Sequence, residues 1–166
     1  MVTVGILTIS TKGAAGERED TSGEAIRELV MAPPLEAAVA ERAVVPDDRA
    51  SIESVLRHWA DDLHLNLVLT TGGTGLSPTD ITPEATLAVV DRLVPGLAEA
   101  MRMESLRVTP MAMLTRAVAG CRGATLIVNL PGSPKGVREC LTVILPALPH
   151  AVDILTARVT DHGKPA

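Results

Sequence analysis

Four short, almost continuous apolar runs divide the chain: Val2 to Ile9, Arg42 to Val45, Leu67 to Thr70 and Ala124 to Leu130. Runs of this length without polar alternation are typical of strands that are covered on both faces of a parallel sheet. We therefore predict four buried strands.

Between the apolar runs, the hydrophobic residues follow the spacing of an amphipathic helix. The clearest case is the stretch from Arg49 to Asp61, where Ile52, Val55, Leu56 and Trp59 fall on one face. Further helices are predicted from a cap at Thr21 or Ser22 to Pro33-Pro34, from Pro83 to Leu93 after a cap at Thr82, from Leu97 to Leu106, and from a cap at Ser133 onward with kinks at Pro146 and Pro149.

Helical and apolar stretches alternate along the chain, and this order predicts a single three-layer α/β/α domain with a mostly parallel central sheet. The domain is expected to cover residues 1–159, followed by a polar tail at 160–166. In the third predicted helix, Leu87, Val90 and Val94 are expected to share a face. The segment 107–123 fits either a helical turn or a hairpin.

The composition limits the classes of partner. The chain of 166 residues contains one Trp and no Phe or Tyr, and its formal net charge is −5. Nucleic-acid-binding modules rely on aromatic stacking and on positive charge, so we expect no nucleic acid partner.

The cysteines and the N-terminus indicate a cytoplasmic protein. Cys121 and Cys140 lie far apart without a zinc-binding or disulfide pattern. The first ten residues lack the features of a signal peptide or a membrane span, and we expect no membrane association. The four scattered histidines are assigned no role.

In a parallel α/β sheet, ligands bind at the carboxyl ends of the strands, and the unusual residues of this chain follow its predicted strands. Ser10 follows the first strand and Asp47 the second. The third strand runs into a loop that leaves backbone N–H groups free for an anion, and the fourth runs into a proline-rich turn and helix start. These two segments contain Thr71, Gly72, Gly73, Thr74, Gly75 and Asp80, and Asn129, Pro131, Gly132, Ser133, Pro134 and Lys135.

The loop from Gly72 to Asp80, called the glycine loop below, does not match two familiar phosphate-binding motifs. Gly75 is followed by Leu76-Ser77, so the lysine of a P-loop is missing. Pro78 stands where the dinucleotide fingerprint needs its third glycine. A glycine-rich turn without a ligand remains an alternative.

Two anion-binding segments suit a polyphosphate and a second phosphorylated substrate. Asp47 and Asp80 would repel such ligands unless a divalent cation lies between them, and Mg²⁺ is the natural candidate. This arrangement favours phosphoryl or nucleotidyl transfer. For each aspartate alone, a hydrogen bond to its own turn is an equally good explanation.

The segments VVPDD, TTGGTGLSPTDITPEAT, MRMESLRVTPMAMLTRAVAG and NLPGSPKGVRECL, in this order, resemble the molybdopterin adenylyltransferases of molybdenum-cofactor biosynthesis, including the G domains of the plant enzyme and of gephyrin. The resemblance spans nearly the whole chain. It implies a cytoplasmic homotrimer that uses Mg²⁺ and ATP to adenylate the phosphate of molybdopterin. The product would then pass to a molybdate-insertion enzyme.

By position, the resemblance assigns Asp47 and Asp80 as essential, metal- and phosphate-orienting residues. It assigns the Gly72 to Gly75 segment to the nucleotide, Glu104 and Ser105 to the pocket, and Asn129 together with the segment from Pro131 to Pro134 to substrate binding. Lys135 lies at a position where the family varies.

One position departs from the family pattern. Family members commonly have Ser-Asp after the first strand, whereas here Thr11 follows Ser10. If the missing acid helps to bind metal or nucleotide, activity would be reduced, and Asp20 is a candidate substitute. Two alternative functions stay open: a non-catalytic trimeric pterin-binding scaffold, and a nucleotide hydrolase that shares the domain.

Overall fold

The computed structural model describes residues 1–157, which form one six-stranded sheet with helices on both faces. The strands are β1 (Thr3–Ile9), β2 (Ala38–Val45), β3 (Leu67–Thr71), β4 (Arg92–Leu93), β5 (Ala119–Arg122) and β6 (Thr125–Leu130). In the described chain the α-helices are α1 (Thr11–Ala14), α2 (Thr21–Met31), α3 (Arg49–Arg57), α4 (Thr82–Leu87), α5 (Pro95–Leu106), α6 (Pro134–Ile144) and α7 (Leu148–Leu155).

The sheet has the strand order β2-β1-β3-β6-β5-β4. The first four of these strands are parallel, and β5 and β4 complete the sheet in antiparallel orientation. This topology confirms the predicted mostly parallel α/β fold. It also places the carboxyl ends of β2, β1, β3 and β6 side by side at one edge.

Two hydrophobic cores cover the two faces of the sheet. On one face, α2, α5, α6 and α7 pack against Val4, Leu69 and Val128. On the other face, α3 and α4 pack against Leu7 and Val68. Neighbouring residues of β1, β3 and β6 point into different cores, which explains why these three strands are mostly apolar. The prediction of a buried strand is wrong for β2, which starts earlier than predicted, at Ala38, and is largely exposed because it lies at the edge of the sheet.

Trp59 lies in a five-residue π-helical turn, His58–Asp62, and packs directly against β1. A Cβ atom at Gly5 would lie 2.5 Å from the Trp59 ring, so the indole can pack here only because Gly5 has no side chain. The chain's single aromatic residue is 4% exposed.

The predicted helix from Pro83 to Leu93 is wrong in its second half. Helix α4 ends at Leu87, which is 46% exposed, and Arg92–Leu93 pairs with β5 as an edge strand. Leu87, Val90 and Val94 therefore share no buried face. Pairing with the sheet edge has overridden the helical spacing of the sequence.

Two predicted helix caps are also wrong. Asp20, and neither Thr21 nor Ser22, caps α2 by accepting from the Gly23 N–H at 2.8 Å. Helix α4 starts at Thr82, whose hydroxyl donates to the Gly72 carbonyl instead of capping the helix. By contrast, the predicted cap of α6 is confirmed, because the Ser133 hydroxyl accepts from the Gly136 N–H.

The segment 107–123, for which the sequence fits either a helical turn or a hairpin, contains both. Residues Pro110–Leu114 form a 3₁₀ helix, and Ala119–Arg122 forms the first strand of a hairpin with β6. The kink predicted at Pro146 is confirmed, because a 3₁₀ turn at Leu145–Ala147 separates α6 from α7. The kink predicted at Pro149 is wrong, since Pro149 lies in the first turn of α7. The predicted tail at 160–166 lies outside the described residues.

Candidate functional site

The carboxyl edge of the parallel strands carries two adjacent cavities of similar size. The aspartate cavity, about 520 Å³, contains Asp47 and Asp80 in its lining. The methionine cavity, about 500 Å³, is lined by Met101 and Met111 among other residues. The two cavities share Ser133, and the loop after β3 runs between them.

The predicted site residues divide between these cavities. The aspartate cavity is lined by Ser10, Asp47, Thr71, Gly72, Gly73, Asp80, Gly132, Ser133 and Pro134. The methionine cavity is lined by Thr74, Gly75, Ser105, Asn129, Pro131, Ser133 and Lys135. Of the predicted residues, Glu104 is in neither lining; its carboxylate lies 3.1 Å from the Arg107 guanidinium.

Asp47 follows β2 and is held by Thr11 at the start of α1. The Thr11 backbone N–H and hydroxyl donate to one Asp47 carboxylate oxygen at 3.1 and 2.8 Å, and the Asp47 N–H donates back to that hydroxyl. Thr11 therefore adds no charge to the cavity but fixes the orientation of its acid. This role could not be predicted from a local pattern, since the two residues are 36 positions apart.

Asp80 lies in a tight turn of the glycine loop. Its carboxylate accepts from the Ser77 N–H at 3.1 Å, and its own N–H donates to the Ser77 carbonyl at 2.9 Å. A Cβ atom at Gly75 would lie 2.9 Å from the carboxylate, so this glycine makes room for it. The local turn bond expected for an aspartate is thus present, and Asp80 still lines the aspartate cavity.

The start of the loop depends on two glycines with left-handed backbone angles. Gly72 has φ 97° and Gly73 has φ 66°. A Cβ atom at Gly72 would lie 2.4 Å from the Ile9 carbonyl, and one at Gly73 would lie 2.4 Å from the Thr82 hydroxyl. Any other residue would be strained at both positions.

The aspartate cavity is strongly acidic. Within residues 1–157, four carboxylates contribute to its lining, those of Glu19, Asp20, Asp47 and Asp80, against one cationic side chain, Arg18. The Asp20 carboxylate is engaged by the Thr8 hydroxyl, the Gly23 N–H and Arg42. Arg18 was not singled out from the sequence, because nothing in its local pattern distinguishes it from a solvated loop residue.

Asn129 is completely buried at the boundary of the methionine cavity. Its side-chain NH₂ donates to the hydroxyls of Thr70 and Thr86 at 3.0 and 2.9 Å, and its side-chain oxygen accepts from the Val118 N–H. These bonds use both amide hydrogens. They connect β6 to β3, α4 and the segment before β5.

The exposed surface of the methionine cavity is mostly apolar, although polar residues such as Arg102, Thr109 and Thr115 also line it. The Ser105 hydroxyl lies 3.4 Å from the Cys140 thiol, whose pKa is raised by burial. Lys135 lies at the mouth with its side chain 80% exposed and its ammonium 3.8 Å from Glu139. The walls are otherwise largely apolar, which suits a flat heterocyclic ligand.

Residues 1–157 contain no group of three or more acidic, histidine or cysteine side chains arranged to hold a metal ion. Asp47 and Asp80 nevertheless fit Mg²⁺, which commonly binds through one or two carboxylates and completes its shell with water and substrate phosphate. No helix in the same range is long and apolar enough to cross a membrane.

A mostly parallel sheet with a glycine loop, a capped helix start and two aspartates at the carboxyl ends of its strands defines an α/β protein whose candidate site lies where this class of fold binds its ligands. Comparison with known families gives its place within that class. Residues 5–150 match the family described as "Probable molybdopterin binding domain", and the chain belongs to this family.

Relatives of known name share most of the chain. A molybdopterin adenylyltransferase of Helicobacter pylori is 44% identical over 152 residues, which are 92% of this chain and 86% of the relative. The molybdopterin biosynthesis enzyme MoaB of Thermus thermophilus is 58% identical, with a TM-score of 0.89 and coverage of 95% of this chain and 98% of the other. Gephyrin of Dictyostelium discoideum is 40% identical over 93% of this chain, which spans 23% of that larger protein.

Proposed function

We propose that this protein is a molybdopterin adenylyltransferase: it transfers AMP from ATP to the phosphate of molybdopterin and releases pyrophosphate. Relatives with this name are 41 to 44% identical to this protein over 83 to 92% of the chain. The structural observation that supports the proposal is the pair of adjoining cavities. One is acidic and partly lined by glycine-containing loops, and the other is mostly apolar.

The two cavities suit the two parts of the reaction. The pterin ring fits the methionine cavity, where apolar walls remove it from water. The phosphates fit the aspartate cavity, beside the glycine loop and the start of α6 at Ser133. The shared position of Ser133 would bring the pterin phosphate to the nucleotide.

In the proposed reaction, an oxygen of the molybdopterin phosphate attacks the α-phosphorus of ATP. A new P–O bond forms, the bond from the α-phosphorus to the bridging oxygen breaks, and pyrophosphate leaves with that electron pair. Mg²⁺, held by Asp47 and Asp80, would neutralise charge on the phosphate oxygens. The glycine loop orients the phosphates, and Thr11 keeps Asp47 in place.

The direct test is pyrophosphate release from ATP, measured with and without molybdopterin in the presence of Mg²⁺. Release that depends on the pterin supports the proposal. Pterin binding without release would favour the scaffold function, and release from ATP alone would favour a nucleotide hydrolase.

Asp80→Asn tests the role of the acid in turnover. The amide keeps the shape and can still accept from Ser77, but it loses the charge, so we expect kcat to fall more than about 100-fold with pterin binding largely retained. Asp91→Asn is the matched control, because Asp91 also accepts a backbone N–H, from Gly123, in the hairpin turn between β5 and β6. Near-normal turnover of Asp80→Asn would remove Asp80 from the mechanism.

Asp47→Ala tests the proposed metal site separately. We expect the Mg²⁺ concentration that gives half-maximal ATP turnover to rise about tenfold, because one of two carboxylate ligands is lost. An unchanged magnesium titration would mean that Asp47 only shapes its turn.

We further propose that the protein acts in the cytoplasm as a homotrimer and passes its product to a molybdate-insertion enzyme. The free, buried thiols of Cys121 and Cys140 suit a reducing compartment. Light scattering coupled to size exclusion would test the assembly, with an expected mass three times the 17.3 kDa of one chain. A mass of one chain would contradict it.

A further inference from the structure

Arg116 lies in the segment between the 3₁₀ helix and β5 and makes an unusual set of contacts with the glycine loop. Its Nε donates to the Gly75 carbonyl at 2.8 Å, and its Nη2 donates to the Asp80 carbonyl at 2.7 Å. Its backbone N–H donates to the Thr74 carbonyl at 2.8 Å. One residue thus binds both ends of the loop that separates the two cavities.

The loop between these contact points has little else to hold it. Leu76 is 64% exposed, and Ser77, Pro78 and Thr79 are exposed as well. The bonds within the loop, from Ser77 to Asp80 and between the Ser77 and Thr79 hydroxyls, set its local shape. They do not attach it to the body of the protein.

The Arg116 guanidinium is itself held in place by Glu84 of α4. The Nη1 group donates to the Glu84 carboxylate, and this hydrogen bond is the main cause that lowers the pKa of Glu84. The positive charge is therefore neutralised within the protein, and Arg116 is absent from the lining of both cavities. The Arg116 guanidinium therefore stabilises the loop and is not placed to bind a phosphate.

Arg116 also adjoins the methionine cavity through its neighbours. Leu114, Thr115 and Ala117 line that cavity, whereas Asp80 lines the aspartate cavity. The Arg116 side chain is the connection between these two walls, since it reaches from the segment 114–117 to the carbonyl of Asp80.

We propose that Arg116 is a positioning residue for the adenylyl transfer: it holds the loop from Gly75 to Asp80 so that the Asp80 carboxylate faces the aspartate cavity. The catalytic part of this inference depends on the proposed function, whereas the effect on the loop does not. Lysine cannot replace arginine here, because a single ammonium cannot form the fork that reaches Gly75, Asp80 and Glu84 together.

The test uses Arg116→Lys and Arg116→Ala, with Arg122→Ala as the matched control. Arg122 also donates to a carboxylate, that of Asp61, and to a backbone carbonyl, that of Val89. It pairs with Thr125 at the amino end of β6, whereas the two cavities lie at the carboxyl ends of the parallel strands.

Two measurements decide the proposal. Hydrogen exchange of the Ser77 and Asp80 amides should become about tenfold faster in both Arg116 variants and stay unchanged in Arg122→Ala. The kcat for pyrophosphate release should fall about 100-fold in Arg116→Ala and less in Arg116→Lys, with KM for ATP within about threefold of the wild type.

Unchanged exchange in the loop would overturn the proposal, as would normal kcat in variants whose loop exchanges faster. A wild-type protein that releases no pyrophosphate would refute the proposed function instead. The exchange measurement would in that case still decide whether Arg116 holds the loop.

Discussion

Thr11 contributes to the aspartate cavity through hydrogen bonds and not through charge. Its hydroxyl and backbone N–H converge on one oxygen of Asp47, and the other oxygen stays on the side of Gly73. A carboxylate that accepts two such bonds is restricted in its rotamers. The threonine at this position therefore orients the Asp47 carboxylate.

Thr11→Val should lower kcat/KM about tenfold, because a hydrogen bond to a charged group is lost while the volume is kept. Thr11→Ser retains the hydroxyl and should stay within about threefold of the wild type. Steady-state kinetics of pyrophosphate release compares the three proteins. Equal values for the valine and serine variants would show that the hydroxyl is irrelevant.

Among the described residues, Arg18 is the one cation in the lining of the aspartate cavity, so its removal should weaken nucleotide binding. We expect Arg18→Gln to raise KM for ATP about threefold to tenfold with little change in kcat. Lys12→Gln is a suitable control, since Lys12 is an exposed cation nearby on α1 that is not part of the lining. The prediction fails if both variants have the same KM.

Among the secondary-structure elements, the inner parallel strands could be predicted and the edge strands could not, since residues 38–41 of the edge strand β2 are missing from the prediction. Strands covered on both faces are buried at every position, and this leaves a mostly apolar run such as Leu67–Thr71. Arg92–Leu93, by contrast, is a two-residue strand with both side chains exposed. Its existence depends on pairing with Gly120 and Cys121, which no local pattern reveals.

The candidate site likewise contains residues that could be predicted from the sequence and one that could not. The glycines, the aspartates and the cap at Ser133 have local signatures, and the strand order brings them to one edge. Arg116 has none, because its partners are carbonyls of a loop about 40 positions earlier in the chain. Its role is visible only after the β5 segment has been placed beside that loop.

The contact between the π-helical turn and β1 predicts a steric limit at Gly5. Gly5→Ala places a methyl group against the Trp59 ring, and we expect a loss of about 1–3 kcal/mol in the free energy of unfolding. Urea denaturation would measure it. At Gly96, in the first turn of α5, nothing lies within 4 Å of an added Cβ, so Gly96→Ala should be neutral or slightly stabilising.

The ion pair between α4 and Arg116 predicts a dependence on pH. Because the pKa of Glu84 is lowered below 4.5 in the folded state, the pair stabilises the protein above that pH and is lost as pH falls through the folded value. The difference in unfolding free energy between wild type and Glu84→Gln should be constant above about pH 5.5 and shrink in more acidic solution. A difference that is flat down to pH 3 would contradict this.

The molecule as a whole forms its ligand sites from loops that cap one edge of a rigid sheet. Ligands that bind there should stabilise the folded state without reorganising the two cores. At a concentration of 100 times its Kd, ATP should stabilise the fold by about 2.7 kcal/mol and raise the melting temperature by about 5–10 °C. Thermal melts followed by circular dichroism would show this, and Asp80→Asn with normal folding provides the comparison.

The position of Trp59 has a consequence for how this protein can be observed. The indole packs on Gly5 near the amino end of β1, at the sheet edge opposite both cavities, and the chain has no Tyr or Phe. Its near-ultraviolet emission therefore comes from one buried residue that lines neither cavity. A pterin absorbs at longer wavelengths than a single indole, so its binding can be followed by absorption almost free of protein background, while the indole emission of the protein without pterin reports whether the chain is folded.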